Sequence, residues 1–333
     1  MRLRSRDDHR AGLAFDDADL ESRLVWIWGS PRSGSSWLLQ QLCHPLESGV
    51  SAPAGFRAPA GLEPPAGGFD AVPVDESFIP NHLAPAFGNP VEIDGRYVPA
   101  TLNNYGAYRP GYSFSQAYAD VWRPAFRRFA LVRLHSIVER ARARGIPLAD
   151  RPALVLKEGN GSHASDQVMS LVPRSRMLFL ARDGRDVVDS LAHAYAPGGF
   201  FARREQRAWE TPEQRREGIR WAARMWACNV DVTTTALNSQ PPELRRTVRY
   251  EDLLSDTRRE LGALLEWLGL ERDAAWLDRM VEERSFAAAR RRGPHERNRA
   301  ATPGLWRENL SREEQELVAE IIGPRLAALG YEE

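Results

Sequence analysis

The run LVWIWGSPRSGSSWLLQQL, residues 24 to 42, limits the fold more than any other stretch of this chain. LVWIW is apolar and short enough for a buried strand, GSPRSGSS is a turn-rich loop, and WLLQQL carries helical spacing. A buried strand that passes through a glycine loop into a helix is the opening of a strand–helix–strand unit, which points to a mostly parallel sheet covered on both faces. Gly29 and Gly34 stand at the G-x-x-x-x-G spacing of a phosphate-binding loop. The helix behind such a loop aims backbone N–H groups and its positive dipole end at an anion. Ser35 and Ser36 follow Gly34, in place of the Lys-Ser or Lys-Thr pair of nucleoside triphosphatases, and Arg32 lies inside the loop instead. ATP or GTP hydrolysis is therefore disfavoured.

The alternation continues down the chain. ALVLK (153–157), RMLFLA (176–181) and RTVRY (246–250) read as further strands. A helix is expected over about 114–144, restarted or kinked at Pro124. Asp183 and Asp186 suit the cap of GRDVVDSLAHAY, Thr211 to Gln214 is a capping box opening a helix to about Leu237, and Ser255 or Asp256 caps the next. Ser311 to Glu314 is a second capping box, whose helix should stop at Gly330. The fold expected is α/β, a three-layer sandwich with a central, mostly parallel sheet flanked by helices. At 333 residues, 43% of them hydrophobic, the chain can bury the core this requires, and it is read as one domain over 1–333. Residues 1–23 form a polar N-terminal arm. Residues 45–115, crowded with Pro, Gly and Ala and dotted with aromatics, form an insertion folded over the core as a lid on the acceptor site.

The global properties mostly exclude. Formal net charge is zero, with 45 basic and 45 acidic residues, so no nucleic-acid or membrane partner is implied. Cys43 and Cys228 are the only cysteines, too few for a disulfide framework or a cysteine zinc site, and suited to a reducing compartment. The N-terminus lacks the apolar core of a signal peptide, and no apolar run of about 18 residues exists to span a bilayer. A cytoplasmic protein is expected.

Chemistry should gather at the carboxyl ends of the strands, where open α/β sheets bind ligands. Those ends carry Lys157-Glu158-Gly159, Arg182 followed by Asp183, and Tyr250-Glu251-Asp252. Lys157 is the chain's one lysine among 45 basic residues. A composition that avoids lysine codons could leave one survivor, but a lysine also differs physically from arginine, being a compact point charge with three rotatable donors against a planar fork. Arg182 alone could be a surface ion pair with Asp183 or Asp186. Beside a phosphate loop, an anion-rich nucleotide explains it better.

These residues carry a resemblance. Pro31-Arg-Ser-Gly-Ser-Ser-Trp37 resembles the Pro-Lys-Ser-Gly-Thr-Thr-Trp loop with which sulfotransferases bind 3′-phosphoadenosine 5′-phosphosulfate (PAPS). Arg182 and Ser190, eight residues apart, look like the family's 3′-phosphate signature. Tyr250 matches a family tyrosine near the adenine, Trp37 a tryptophan that stacks on it, and GLWRENLSREEQELVAEIIGPRLAALGY the C-terminal Gly-x-Trp segment and last helix. Arg299, five residues before Gly304, is in register with an arginine that reaches the 3′-phosphate. The likeness spans about 24–44 and 153–331 and leaves out the insertion. It implies a P-loop-like sulfotransferase fold, PAPS as co-substrate and no metal. Arg32, Ser33, Gly34, Ser35, Ser36, Trp37, Arg182, Ser190, Tyr250 and Arg299 would hold PAPS, with Arg32 and Lys157 also acting in catalysis.

The departures matter equally. Arg32 replaces the usual loop lysine, the family's Arg-Lys-Gly triplet is reduced to Arg299, and the catalytic histidine expected two residues after Lys157 is Gly159. The base is left open among Glu158, Glu76 in DESFIPNHL, and His163. Glu158 serves only if the strand ends before it, since neighbours on a strand face opposite ways. The implied reaction is sulfuryl transfer to a hydroxyl or amine of a small acceptor, which the insertion's aromatics suggest is apolar or aromatic. A kinase-like phosphotransferase and an inactive nucleotide-binding relative are the competing readings.

Overall fold

The computed structural model describes residues 16–43, 67–83, 90–99, 116–270, 272–283 and 302–331. The central sheet has five strands: β1 (Leu24–Trp28), β2 (Phe69–Asp75), β5 (Leu148–Lys157), β6 (Arg176–Ala181) and β7 (Arg245–Arg249), in the order β2-β5-β1-β6-β7. All four pairings are parallel. A separate antiparallel hairpin joins β3 (Pro90–Ile93) to β4 (Arg96–Pro99).

Alternation along the strands divides the core. Leu24, Trp26 and Trp28 of β1 face a layer holding α1 (Asp17–Ser22), α4 (Ala119–Ala143) and α5 (Ser165–Leu171). On the same face, Phe179 and Ala181 of β6 pack on α6 (Gly184–Tyr195), α8 (Pro212–Ser239) and the C-terminal helix Arg312–Ala328. Val25 and Ile27 face the opposite layer, made by α2 (Ser35–Leu42), α9 (Tyr250–Ser255) and α10 (Thr257–Leu268). The result is the three-layer sandwich expected, and the caps at Asp183, Thr211, Asp256 and Ser311 all form.

Several elements depart from expectation. Residues 69–75, assigned to the insertion, are a full edge strand of the central sheet, with Asp75 level with Lys157 on β5. Pro73 lies within that strand, and an edge position is where a sheet tolerates the missing N–H. The supposed arm contributes α1, capped by Asp16, with Leu20 and Glu21 buried and Glu21 ion-paired to Arg127 at 2.5 Å. α4 does not restart at Pro124 but continues through it, because Trp122, Phe126, Ala130, Leu131 and Leu134 bury a continuous face that outweighs one lost hydrogen bond. β5 begins at Leu148, five residues before ALVLK, and β7 stops at Arg249 so that Tyr250 opens α9.

Register brings the carboxyl ends of the strands level. Asp75 lies beside Lys157, Lys157 beside Ile27, Trp28 beside Phe179, and Ala181 beside Arg249. The residues just beyond each end share one edge of the sheet.

Candidate active site

The β1–α2 loop is shaped by close backbone approach. A Cβ on Gly29 would lie 2.6 Å from the Leu180 carbonyl oxygen, and one on Gly34 would lie 2.6 Å from the Tyr250 ring. Gly34 also has φ +91°, the left-handed region that favours glycine. Ser162 ties the loop to the end of β5: its hydroxyl accepts from Gly29 N at 2.9 Å and lies 2.8 Å from Gly29 O and 3.0 Å from Glu158 O. α2 starts at Gly34 with no side-chain cap and no acidic residue in its first turn, so its leading N–H groups are left for an anion. The buried Ser33 hydroxyl has no hydrogen-bond partner among the described residues, which also suits a ligand there.

A second cationic pole lies at the end of β6. The Arg182 guanidinium donates to Arg32 O at 2.6 Å and sits 4.6 Å above the Tyr250 ring. Arg32, at φ +71°, reaches across to α6, its Nε donating to Ser190 Oγ at 3.0 Å. Trp37 meets Tyr250 edge-on at 6.2 Å between ring centres. Asp183 caps α6 and pairs with Arg185, while its own N–H donates to Glu251 at 3.0 Å. Arg185 packs 4.4 Å from the Trp306 ring, and Gly304 N donates to Asp186 at 2.8 Å, so the C-terminal Gly-x-Trp segment docks on the start of α6.

Lys157 occupies the edge between the loop and β2. Its Nζ lies 2.5 Å from Asp75 Oδ1, 2.8 Å from Glu76 Oε1 and 3.5 Å from Ser36 Oγ. A tetrahedral ammonium turns its three N–H groups from one compact centre toward acceptors that converge on it, whereas a guanidinium spreads its donors in a plane. Burial works against the charge on Lys157, but Glu76 and Asp75 more than offset it and raise its pKa. The resting ammonium is thus held between two carboxylates. Glu76 is itself in the left-handed region at φ +60°; its N–H donates to Lys157 O at 3.0 Å and its Oε1 accepts from Asn160 N at 3.3 Å. Its Oε2 has no hydrogen-bond partner among the described residues. Gly159 faces the same spot: a Cβ there would stand 3.2 Å from Ser35 Oγ and 3.8 Å from Glu76 Oε1.

Glu158 lies just past the end of β5, fully buried, and accepts from Ser77 N at 2.7 Å. Burial, reinforced by the nearby Glu76 charge, pushes its carboxyl up to about 8 despite the Ser77 N–H and Lys157. The folded protein therefore holds a proton that the unfolded chain releases above the ordinary value of 4.5. Stability is expected to fall as pH rises from about 5 to about 8 and to level off above. Thermal melts across that window should show a shallower decline in Glu158→Gln, which has no proton to lose; an identical slope would place the titration elsewhere.

The structure gathers Arg32, Ser33, Gly34, Ser35, Ser36, Trp37, Lys157, Arg182, Ser190, Tyr250 and Glu76 around this edge. His163 sits in the short turn Ser162–Ala164 after it, half-buried. Arg299 lies outside the described residues. Of the insertion's aromatics, Phe69 is core and Tyr97 packs under Arg325, whereas Phe78, at φ +60° and 52% exposed, stands two residues from Glu76. Phe56, Phe87, Tyr105, Tyr108, Tyr112 and Phe114 are outside the described residues. Asp75 and Ser162 went unnoticed in the sequence. The apolar run AVPV ending at an acidic residue was the available signal for Asp75, masked by Pro73. A separate cavity of about 910 Å³, lined by Tyr195, Trp209, Trp221 and Arg224 among others, opens at the far end of α6.

Sheet order, loop and cationic edge define an α/β protein built around an anion-binding P-loop-like turn. A family model described as the sulfotransferase family matches residues 25–274, three quarters of the sequence, and the chain belongs to that family. Its fold is similar to that of the sulfotransferase STF9 from Mycobacterium avium, at 16% identity and TM-score 0.52, with 98% of this chain and 80% of that one covered. Mouse sulfotransferase SULT7A1, solved in complex with PAP, is 12% identical at TM-score 0.44, covering 92% and 87%. The sulfotransferase domain from the curacin biosynthetic pathway is 16% identical at TM-score 0.43, covering 92% and 97%. No curated protein matches the chain.

Proposed function

We propose that this sulfotransferase moves the sulfuryl group of PAPS onto a hydroxyl or amine of a small apolar or aromatic acceptor. The observation that carries this is the shared sheet edge: an uncapped helix start behind a glycine loop, Arg182 and Ser190 at one side, and Lys157 with Glu76 at the other. PAPS supplies an activated sulfuryl group on a phosphate leaving group. The backbone of residues 33–36 and the hydroxyls of Ser35 and Ser36 hold its 5′ end, Arg182, Ser190 and Arg299 its 3′-phosphate, and Trp37 and Tyr250 its base. Arg32 adds charge between the two poles. Lys157 stabilises charge at the reacting centre, where positioning and electrostatics supply most of the acceleration.

The base is Glu76. Its unpartnered Oε2 is the carboxylate oxygen left over at the edge, and a side chain on residue 159 would point toward the same carboxylate, so Glu76 takes the place that Gly159 leaves vacant. The exposed ring of Phe78 beside it favours an apolar acceptor. None of these roles requires a metal. No helix among the described residues is long and apolar enough to cross a membrane.

Titration calorimetry with 3′-phosphoadenosine 5′-phosphate (PAP) and, separately, ATP with magnesium tests the co-substrate. PAP is expected to bind and ATP not to; tight ATP binding with no response to PAP would mean a phosphotransferase. Transfer of labelled sulfate from PAPS to a mixed panel of phenols, alcohols and amines, read by mass spectrometry, then tests activity.

A further inference from the structure

Two consecutive features at the β2 edge are costly by themselves. Glu76 and Phe78, neither of them glycine, both have φ near +60°, and Glu158 is a buried carboxyl with no ion pair among the described residues. Left-handed backbone at such residues persists only where the surroundings over-determine it. Between the two lies Ser77, whose N–H donates to Glu158 Oε1 at 2.7 Å, while the Ser77 hydroxyl accepts from Ile79 N at 3.2 Å.

Glu158 is itself firmly placed. Its N–H donates to Ile27 O at 2.9 Å, its carbonyl accepts from Gly161 N at 3.0 Å and from the Ser162 hydroxyl at 3.0 Å, and Ser162 also binds Gly29. A Cβ on Gly161 would stand 3.4 Å from Glu158 Oε2 and 2.7 Å from the Pro80 ring, so only glycine leaves room between the carboxyl and Pro80. The same chain that fixes the start of the glycine loop thereby reaches the turn carrying Glu76.

We infer that Glu158 is a positioning residue: through Ser77 N it clamps the strained 76–78 turn, and so sets the Glu76 carboxylate against Lys157 and the acceptor. It touches neither the donor nor the acceptor. This goes beyond the sequence expectation, which weighed Glu158 only as a base, and it rests on the proposed sulfuryl transfer for its kinetic consequence.

The test uses the full chain and three substitutions. Glu158→Gln keeps an acceptor oxygen at the same reach; Glu158→Asp retracts the carboxyl by one methylene; Glu158→Ala removes it. Hydrogen exchange should show the amides of residues 76–78 exchanging faster in the Asp and Ala forms and at the wild-type rate in the Gln form. With PAPS and 2-naphthol as probe acceptor, kcat should fall by about 10- to 100-fold in Asp and Ala, as displaced catalytic groups typically do, and be kept in Gln. Affinity for PAP should not change in any of them. In a Glu76→Gln background, Glu158→Ala should add little, since residues acting through one another are not additive. If Ala does not fold, Asp and Gln carry the comparison. Unchanged exchange at residues 76–78 in Asp would overturn the clamp, as would a kcat loss in Gln equal to that in Asp. Absence of transfer in the wild type, with the exchange pattern as expected, would overturn the proposed function and leave the clamp standing.

Discussion

Lys157→Ala is expected to slow sulfuryl transfer by about 10²–10³, or about 3–4 kcal/mol of barrier, the range for losing one preorganised charge stabiliser. Affinity for PAP should change little, because the residues assigned to PAP lie in the loop, at Arg182 and Ser190, and around Tyr250. Two physical effects add up in this variant. The reacting centre loses its cation, and Asp75 and Glu76 are left facing each other without the ammonium that lies 2.5 and 2.8 Å from them. Removing one partner of a buried ionic cluster is also destabilising by about 3–5 kcal/mol at the buried limit, less here because Asp75 is partly exposed. Kinetics should therefore be taken well below the variant's melting temperature. Lys157→Arg separates charge from shape: the charge and much of the stability remain, but a larger planar fork must displace Asp75, Glu76 or Ser36, which converge on the single Nζ atom. If the arginine form transferred at the wild-type rate, lysine would be there by codon usage and not by geometry.

How much of this could be read from the sequence depends on the kind of signal. The loop was legible because the spacing of Gly29 and Gly34 between strand and helix is local, although the contacts that exclude a side chain there come from Leu180 and Tyr250 on other elements. Capping boxes at Thr211 and Ser311 were legible for the same reason, as both partners lie within one turn. The pairing of Lys157 with Asp75 was not, because it depends on β2 joining the sheet across about 80 residues, and β2 carries Pro73 in a Pro- and Gly-crowded region that reads as irregular. Glu76 could be named only as one candidate among three, beside Glu158 and His163. What sets it apart from Glu158, whose Oε2 also lacks a hydrogen-bond partner among the described residues, is its ion pair with Lys157 and its left-handed φ, and neither leaves a mark in composition or periodicity. The fate of Glu158 was not legible either: β5 does end at Lys157, the condition under which Glu158 could have served, and it is burial and the Ser77 N–H that set it aside.

Glu76→Gln should lower turnover by about 10²–10⁴ with acceptors that hold their proton tightly, the range that a positioned general base contributes. Glutamine keeps the length of the side chain and an oxygen for Asn160 N, and Lys157 keeps Asp75, so the fold and PAP affinity should survive. What it cannot do is accept a proton at the position of Oε2. The loss should therefore depend on the acceptor. An aliphatic alcohol needs its proton removed as the new bond to sulfur forms, and should be affected most. A nitrophenol, far more acidic and partly ionised already in neutral buffer, brings its own oxyanion and should be affected least. Glu76→Ala adds a second discriminator, since it opens a space beside Lys157 into which added formate can bind and act as base. Partial recovery with formate, for the alcohol and not for the nitrophenol, is the outcome expected of a true base. Equal losses with both acceptors would reduce Glu76 to a counter-ion of Lys157 and return the search for the base to His163.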